Sequence, residues 1–142
     1  MAQHIGEITI LVRDYDKAIL WFTQNLGFTL KEDSPLPNGE RWITVGPSGG
    51  QTTLRLAKAE NAEQAAQVGK QAKGRVLCYL HTDDFTRDHS AFLERGVRFT
   101  ETPRHESYGT VAVFEDLYGN WWDLIQYKAG IWPTHGPSLN AR

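Results

Sequence analysis

The chain has 142 residues, of which 40% are hydrophobic and 23% charged, a composition typical of one globular domain with its own core. The formal net charge is −2, so no basic excess exists to attract nucleic acid or an anionic membrane surface, and we expect neither as a partner. No apolar stretch approaches the roughly 18 residues that a membrane-spanning helix needs, and no signal-peptide pattern opens the chain, so we expect a cytoplasmic protein.

The first half of the chain shows the periodicity of one helix among four strands. Alternating or apolar runs predict strands, and apolar residues three and four positions apart predict a helix that begins near Asp14 and ends at Gly27. The predicted elements are a strand over residues 5–13, a helix over 16–26, and strands from residue 28, over 40–46 and over 51–57.

The second half repeats this pattern: a strand over 75–82, a helix over 85–95, and strands from residue 97, over 108–115 and over 121–127. Asp14 and Asp83, at the ends of the first strands, are 69 positions apart, and so are the helix-ending Gly27 and Gly96. A single half cannot cover both faces of a four-stranded sheet. We therefore predict an α+β fold made of two tandem βαβββ modules.

The modules set the expected domain organisation, a single domain over residues 1–142. Module one covers about residues 4–60 and module two about 75–128. The connection, residues 58–74, is rich in Ala, Gln, Lys and Glu, so it is either a solvated helix or a mobile linker. The tail, residues 129–142, contains several Gly and Pro residues and is predicted to be irregular.

Two stretches resemble the vicinal oxygen chelate superfamily, which includes glyoxalase I, bleomycin resistance proteins and extradiol dioxygenases. They are ITILVRDYDKAILWFTQNLGF in the first half and RGVRF followed by YGTVAVFEDLYGNWWDLIQ in the second. The resemblance implies that the modules form a U-shaped, antiparallel half-barrel trough that takes a small molecule, and that two chains pair as a homodimer. It leaves open whether the protein is a glyoxalase-like, lyase-like or dioxygenase-like enzyme or a non-catalytic binder of a drug or metabolite.

The resemblance also points to four positions where catalytic members hold a divalent metal. In this sequence they are occupied by Glu7, Arg55, Leu77 and Asp123. Leucine cannot ligate a metal and arginine keeps its proton, so the usual His/Glu tetrad is absent. Glu7 and Asp123 could hold at most a weakly bound Mg²⁺ or Mn²⁺, and no cofactor is otherwise expected.

A second interpretation of these residues is an ion-paired cluster of Glu7, Arg55 and Asp123. A guanidinium in a pocket suits a carboxylate or phosphate on a ligand. If the ligand pairs with Arg55, then Glu7 or Asp123 is free to act as a catalytic base. A purely structural cluster explains the same residues, and all three interpretations remain open at this point.

Further side chains are expected to line the ligand pocket: Trp42, Thr53, Tyr79, His105, Tyr108 and Trp121. Strand alternation places Thr53 with Arg55, and Trp121 with Asp123, while Trp122 points to the opposite face. His105 is expected in a loop that feeds the strand beginning at Tyr108. Sheet packing or a dimer contact explains the aromatic residues equally well. The single cysteine, Cys78, is expected to be a buried core thiol.

Overall fold

The structure, a computed structural model, describes residues 2–129. It divides into two compact units, one ending at Lys73 and the other beginning at Gly74. Within the described residues, no helix is long and apolar enough to cross a membrane. The predicted irregular tail lies, from residue 130 onward, outside the described residues.

The first unit is a four-stranded sheet with its helices in the order of a βαβββ module. Its elements are β1 (Glu7–Val12), α1 (Tyr15–Leu20), which continues as a π-helical turn (Trp21–Asn25), β2 (Thr29–Pro35), a 3₁₀ turn (Pro37–Gly39), β3 (Arg41–Gly46), β4 (Thr53–Lys58) and α2 (Ala62–Gln67). The strand order in the sheet is β1-β4-β3-β2. The pair β1 and β4 runs parallel, and the other neighbours run antiparallel.

The second unit repeats this arrangement. Its elements are β5 (Val76–His81), α3 (Phe85–Glu94), β6 (Arg98–Phe99), β7 (Arg104–Glu106), β8 (Gly109–Glu115) and β9 (Trp121–Tyr127). The strand order is β5-β9-β8-β6, with β7 also paired to β8. The matching strand orders confirm the two predicted βαβββ modules.

Each sheet is mixed, whereas the resemblance implied antiparallel strands throughout. The reason is the helix between the first two strands of each module. A helical crossover lets the second strand run in the same direction as the first, and the following hairpins then bring the fourth strand back parallel to the first. Thus β1 runs parallel to β4, and β5 runs parallel to β9.

Helix boundaries follow the capping residues seen in the sequence. The Asp14 carboxylate accepts a hydrogen bond from the Lys17 amide at 2.8 Å and begins α1. Asp84 does the same for α3 through the Arg87 amide at 3.1 Å. Gly96 follows α3 with a positive φ of 85°, a conformation in which a side chain would be strained.

One face of each sheet carries the hydrophobic core. In the first unit this core includes the fully buried Ile10, Phe22 and Leu56. In the second unit the Phe114 ring packs 5.5 Å from Phe92 of α3 and 5.7 Å from Trp122. Because side chains alternate along a strand, the residues between these core positions face the other side of each sheet. The candidate site residues lie among them.

The connection, residues 58–74, is neither one long helix nor an unattached linker. It contains the short helix α2 and then Val68, which is buried. Beyond it, the side-chain amide of Gln71 accepts a hydrogen bond from the Leu11 amide at 2.8 Å and donates one to the Thr9 carbonyl at 3.1 Å. Gln71 therefore hydrogen-bonds to backbone groups on the edge of β1 that does not pair with β4, where another strand could otherwise pair.

Two local details of the second unit differ from the sequence-based prediction. His105 lies in the short strand β7 and not in a loop, and Tyr108 lies in the turn before β8. The residue that follows, Gly109, must be a glycine, since a Cβ there would clash with the carbonyl oxygen of Gln126. A three-residue strand is too short to show a period in the sequence. Leu77 lies at an irregularity in the β5–β9 register.

Candidate functional site

The face of the first sheet that is opposite the core carries a row of polar side chains. Arg55 on β4 lies between Thr9 on β1 and Thr44 on β3. Since alternate residues share a face, the structure brings together four of the predicted site residues on this face: Glu7, Trp42, Thr53 and Arg55. We call this the Arg55 face.

Arg55 stacks on an indole ring. The guanidinium carbon lies 4.7 Å from the centroid of the Trp42 ring, a favourable position for a cation over an aromatic face. Its Nε atom is buried and has no hydrogen-bond partner among the described residues. Arg55 forms no close ion pair there, although its charge lowers the pKa of the Glu60 carboxyl. A buried donor without an acceptor costs about 1–3 kcal/mol. An acceptor brought by a ligand would remove this cost.

The neighbours of Arg55 are small hydroxyl side chains. Thr53 and Thr44 are buried, and the Thr53 hydroxyl donates a hydrogen bond to the Gly6 carbonyl at 3.4 Å. Glu7, at the start of β1, is exposed, and within residues 2–129 it forms no ion pair with Arg55. The sequence did not point to Thr44, because its place beside Arg55 depends on the β3–β4 register.

The corresponding face of the second sheet carries a carboxylate between aromatic side chains. Asp123 on β9 lies beside Tyr79 on β5 and Val113 on β8. Trp121 precedes Asp123 by two residues and so shares its face, as predicted. Trp122 points to the core, where its indole Nε1 donates to Asp116 at 3.1 Å. We call the surface formed by Tyr79, Trp121 and Asp123 the Asp123 face.

Asp123 is half-buried, and its Oδ1 atom is buried without a hydrogen-bond partner among the described residues. Burial raises the pKa of this carboxyl, Arg104 lowers it and Glu101 raises it. Arg104 is itself held by other carboxylates: its Nε donates to Glu101 at 3.0 Å and its Nη1 to Glu106 at 2.6 Å. Sequence reasoning missed Glu101 and Arg104, because the segment between β6 and β8 showed no pattern.

The remaining predicted residues lie apart from Asp123. His105 is exposed, faces away from the side of β8 that carries Val113, and lies 3.3 Å from the Thr110 hydroxyl through its Nδ1. The Tyr108 ring is 5.8 Å from that of Tyr127.

Burial raises the pKa of Cys78 to about 12, so its thiol stays protonated at neutral pH and is a poor nucleophile.

The residues at the four metal positions do not fit a metal site. Glu7 and Arg55 lie in the first unit, and Leu77 and Asp123 in the second. Only two of the four can offer an oxygen ligand. Among residues 2–129, no group of three or more His, Cys, Asp or Glu side chains is arranged to hold a metal ion.

A surface cavity of about 460 Å³ lies in the first unit, lined by Tyr15, Asn38, Gly39, Glu40, Lys58, Ala59 and Glu60. The Glu40 and Glu60 carboxyls approach each other there, which raises the pKa of Glu60. None of the site residues expected from the sequence is among these lining residues.

Comparison with known proteins relates most of the chain to one family. Residues 4–124 match the sequence model of the Glyoxalase/Bleomycin resistance protein/Dioxygenase superfamily. An uncharacterized protein of Shewanella frigidimarina (strain NCIMB 400) is 46% identical over 128 residues, which cover 89% of this chain and 95% of the relative. YurT of Bacillus subtilis (strain 168), also uncharacterized, is 31% identical, over 83% of this chain and 94% of its own.

Two solved structures share the fold over most of their length. UcmS2 is 28% identical with a TM-score of 0.76, covering 88% of this chain and 98% of its own. TnmS3, described as an antibiotic binding protein from Streptomyces sp. CB03234, is 30% identical with a TM-score of 0.74, covering 89% of this chain and 98% of its own.

Proposed function

We infer that this chain, which belongs to the Glyoxalase/Bleomycin resistance protein/Dioxygenase superfamily, is a binding protein for a small organic molecule that carries an anionic group. The observation that carries this inference is the Arg55 guanidinium, which lies 4.7 Å from the Trp42 ring centroid while its buried Nε lacks an acceptor among the described residues. The ligand would supply that acceptor.

The Arg55 face suits an anion for a physical reason. A guanidinium presents several N–H donors in one plane and matches the two oxygens of a carboxylate. Stacking on Trp42 holds the long Arg55 side chain in place, so less conformational entropy is lost when a ligand binds. The buried Thr44 and Thr53 leave the guanidinium as the charged group at the centre of this face.

Known relatives support a binding role. TnmS3, at 30% identity over 89% of this chain, is an antibiotic binding protein. By analogy, the proposed ligand is an antibiotic-like or metabolite-like organic molecule.

The test is titration calorimetry with 2-naphthoate, a planar aromatic carboxylate, against its uncharged counterpart 2-naphthamide. We expect the wild type to bind naphthoate at least about tenfold more tightly than naphthamide, a difference of about 1.4 kcal/mol. Arg55→Met keeps the apolar stem and should remove that preference. Arg75→Met, which changes an exposed arginine of the second unit, is the matched control and should leave it intact. Equal naphthoate affinity in wild type and Arg55→Met would refute the inference.

An enzymatic role is the second candidate, with Asp123 as a catalytic group of a lyase-like reaction. The raised pKa of Asp123 favours it, since general acid–base catalysis works best when the pKa lies near the working pH. The protein would be incubated with a bacterial small-molecule extract and the masses followed. A product that forms with wild type but not with Asp123→Asn supports an enzyme, whereas depletion without product supports a binder.

We also propose that the protein is a homodimer, as the family resemblance implies. Exposed apolar side chains in the first unit, Ile5 at 66% and Ile8 at 48%, are available for a subunit contact. Sedimentation equilibrium should give about twice the chain mass of 16.1 kDa. A single species at the monomer mass across micromolar concentrations would contradict the dimer.

A further inference from the structure

We propose that the Asp123 face is a subsite for an organic cation, with Asp123 as the counter-charge and Tyr79 and Trp121 as aromatic walls. The proposal rests on the proposed function only in that the ligand is a small organic molecule. It involves a different unit, a different charge and different residues from the Arg55 face.

The geometry brings one carboxylate and two aromatic side chains together on a single sheet face. Tyr79 is the register partner of Asp123 across the β5–β9 pair, and Trp121 lies two residues before Asp123 on the same strand. Tyr79 is 61% exposed and Trp121 40% exposed. Neither ring stacks on another ring within the described part of the chain, so both remain available to a ligand.

The local charge favours a cation. Three carboxylates, those of Glu101, Glu106 and Asp123, lie around the single guanidinium of Arg104. Glu101 and Glu106 already bind that guanidinium, so Asp123 is the carboxylate left without a hydrogen-bonded cation, and its Oδ1 has no partner in residues 2–129. An anion here would be repelled, and an ammonium group would be attracted.

An organic cation fits this face better than a metal ion does. Mg²⁺ and Ca²⁺ require about six or more oxygen ligands, whereas this face offers one carboxylate flanked by rings. The π-face of Trp or Tyr attracts an ammonium group and contacts its methyl groups at the same time. The recognised group is therefore a protonated or quaternary amine.

The experiment compares choline with 3,3-dimethylbutan-1-ol, which has the same shape without the charge. Affinities would be measured on the full chain by saturation-transfer NMR titration at pH 7 and low salt. We expect choline to bind at least about tenfold more tightly than the alcohol. Asp123→Asn should abolish this preference, Asp123→Glu should restore part of it, and Trp121→Ala should weaken choline binding severalfold. The matched control is Glu32→Gln, which changes an exposed carboxylate on β2 of the first unit. It should leave the affinities for choline and for the alcohol unchanged.

Equal affinity for choline and the alcohol, or choline binding that survives Asp123→Asn, would overturn the subsite. Circular dichroism confirms that each variant is folded before its affinity is interpreted. Naphthoate titrations of the same samples separate this result from the proposed function. Choline binding without naphthoate binding leaves the subsite standing and removes the Arg55 function, and the converse removes the subsite alone.

Discussion

The two sheets have the same strand order but carry opposite charges at the same place. Arg55 lies on the fourth strand of the first module, between a parallel and an antiparallel neighbour, and Asp123 lies on the fourth strand of the second module between the same kinds of neighbour. Each has a buried polar atom without a hydrogen-bond partner among the described residues. The βαβββ scaffold therefore fixes the position of a central side chain, and its chemistry varies independently.

The sheets also differ in their second strand. In the first unit β2 spans seven residues, Thr29–Pro35, and six of them pair with β3 on either side of one irregularity. In the second unit the equivalent strand is interrupted, and the Glu101 carboxylate accepts a hydrogen bond from the Val113 amide at 3.0 Å in the gap. In the interrupted segment lies Arg104, a positive charge that lowers the pKa of Asp123.

The turns before the fourth strands should show the largest difference in stability. Asp116 is buried and accepts hydrogen bonds from the amides of Tyr118 and Asn120, the Asn120 side chain and the Trp122 indole. Asp116→Ala leaves these donors unpaired and should cost about 3 kcal/mol in urea unfolding. Ser48→Ala, in the exposed turn of the first unit, should cost less than about 0.5 kcal/mol. Similar losses in both variants would contradict the comparison.

The edge strands should differ by a smaller amount. Gln71 bonds two backbone groups of β1, so Gln71→Ala should destabilise the protein by about 1 kcal/mol and speed hydrogen exchange at the Leu11 amide. Gln24→Ala, an exposed glutamine beside α1, is the control. Unchanged exchange at Leu11 would show that the Gln71 contact does not protect the edge.

The smallest effect concerns pH. Burial raises the pKa of Asp123 above its ordinary value of 3.8, so the folded state holds this proton more tightly than the unfolded state. The contribution of this carboxyl to the stability of the protein is therefore greatest below pH 3.8, and it falls as pH rises through the folded pKa. Asp123→Asn should remove that loss and stabilise the protein by at most about 1 kcal/mol at pH 7, since water still screens part of the carboxyl.

Thermal unfolding between pH 4 and pH 7 measures this effect. Arg75→Met, which changes an exposed arginine, should leave the pH profile unchanged, because a guanidinium keeps its proton throughout that range. An Asp123→Asn profile parallel to that of the wild type would show that the carboxyl titrates normally.

Strand alternation correctly placed several candidate site residues on their sheet faces, and the placements that were missed or wrong have particular causes. The shared face of Thr53 and Arg55, and that of Trp121 and Asp123, follow from the two-residue period of a strand. The sequence did not reveal Thr44, since neighbours across strands depend on register. Glu101 and Arg104 were missed and His105 was placed in a loop, because the segment that holds them forms only a three-residue strand.

The sequence by itself determined the repeated βαβββ order, the helix caps and the side chains on each strand face. All of these follow from local periodicity and capping chemistry, which act over a few residues. Only the tertiary structure decided that Arg55 stacks on Trp42, that Gln71 covers the edge of β1, and that Arg104 lies near Asp123. Those contacts join strands and segments distant in the chain, so their partners are set by register and by the packing of the whole sheet.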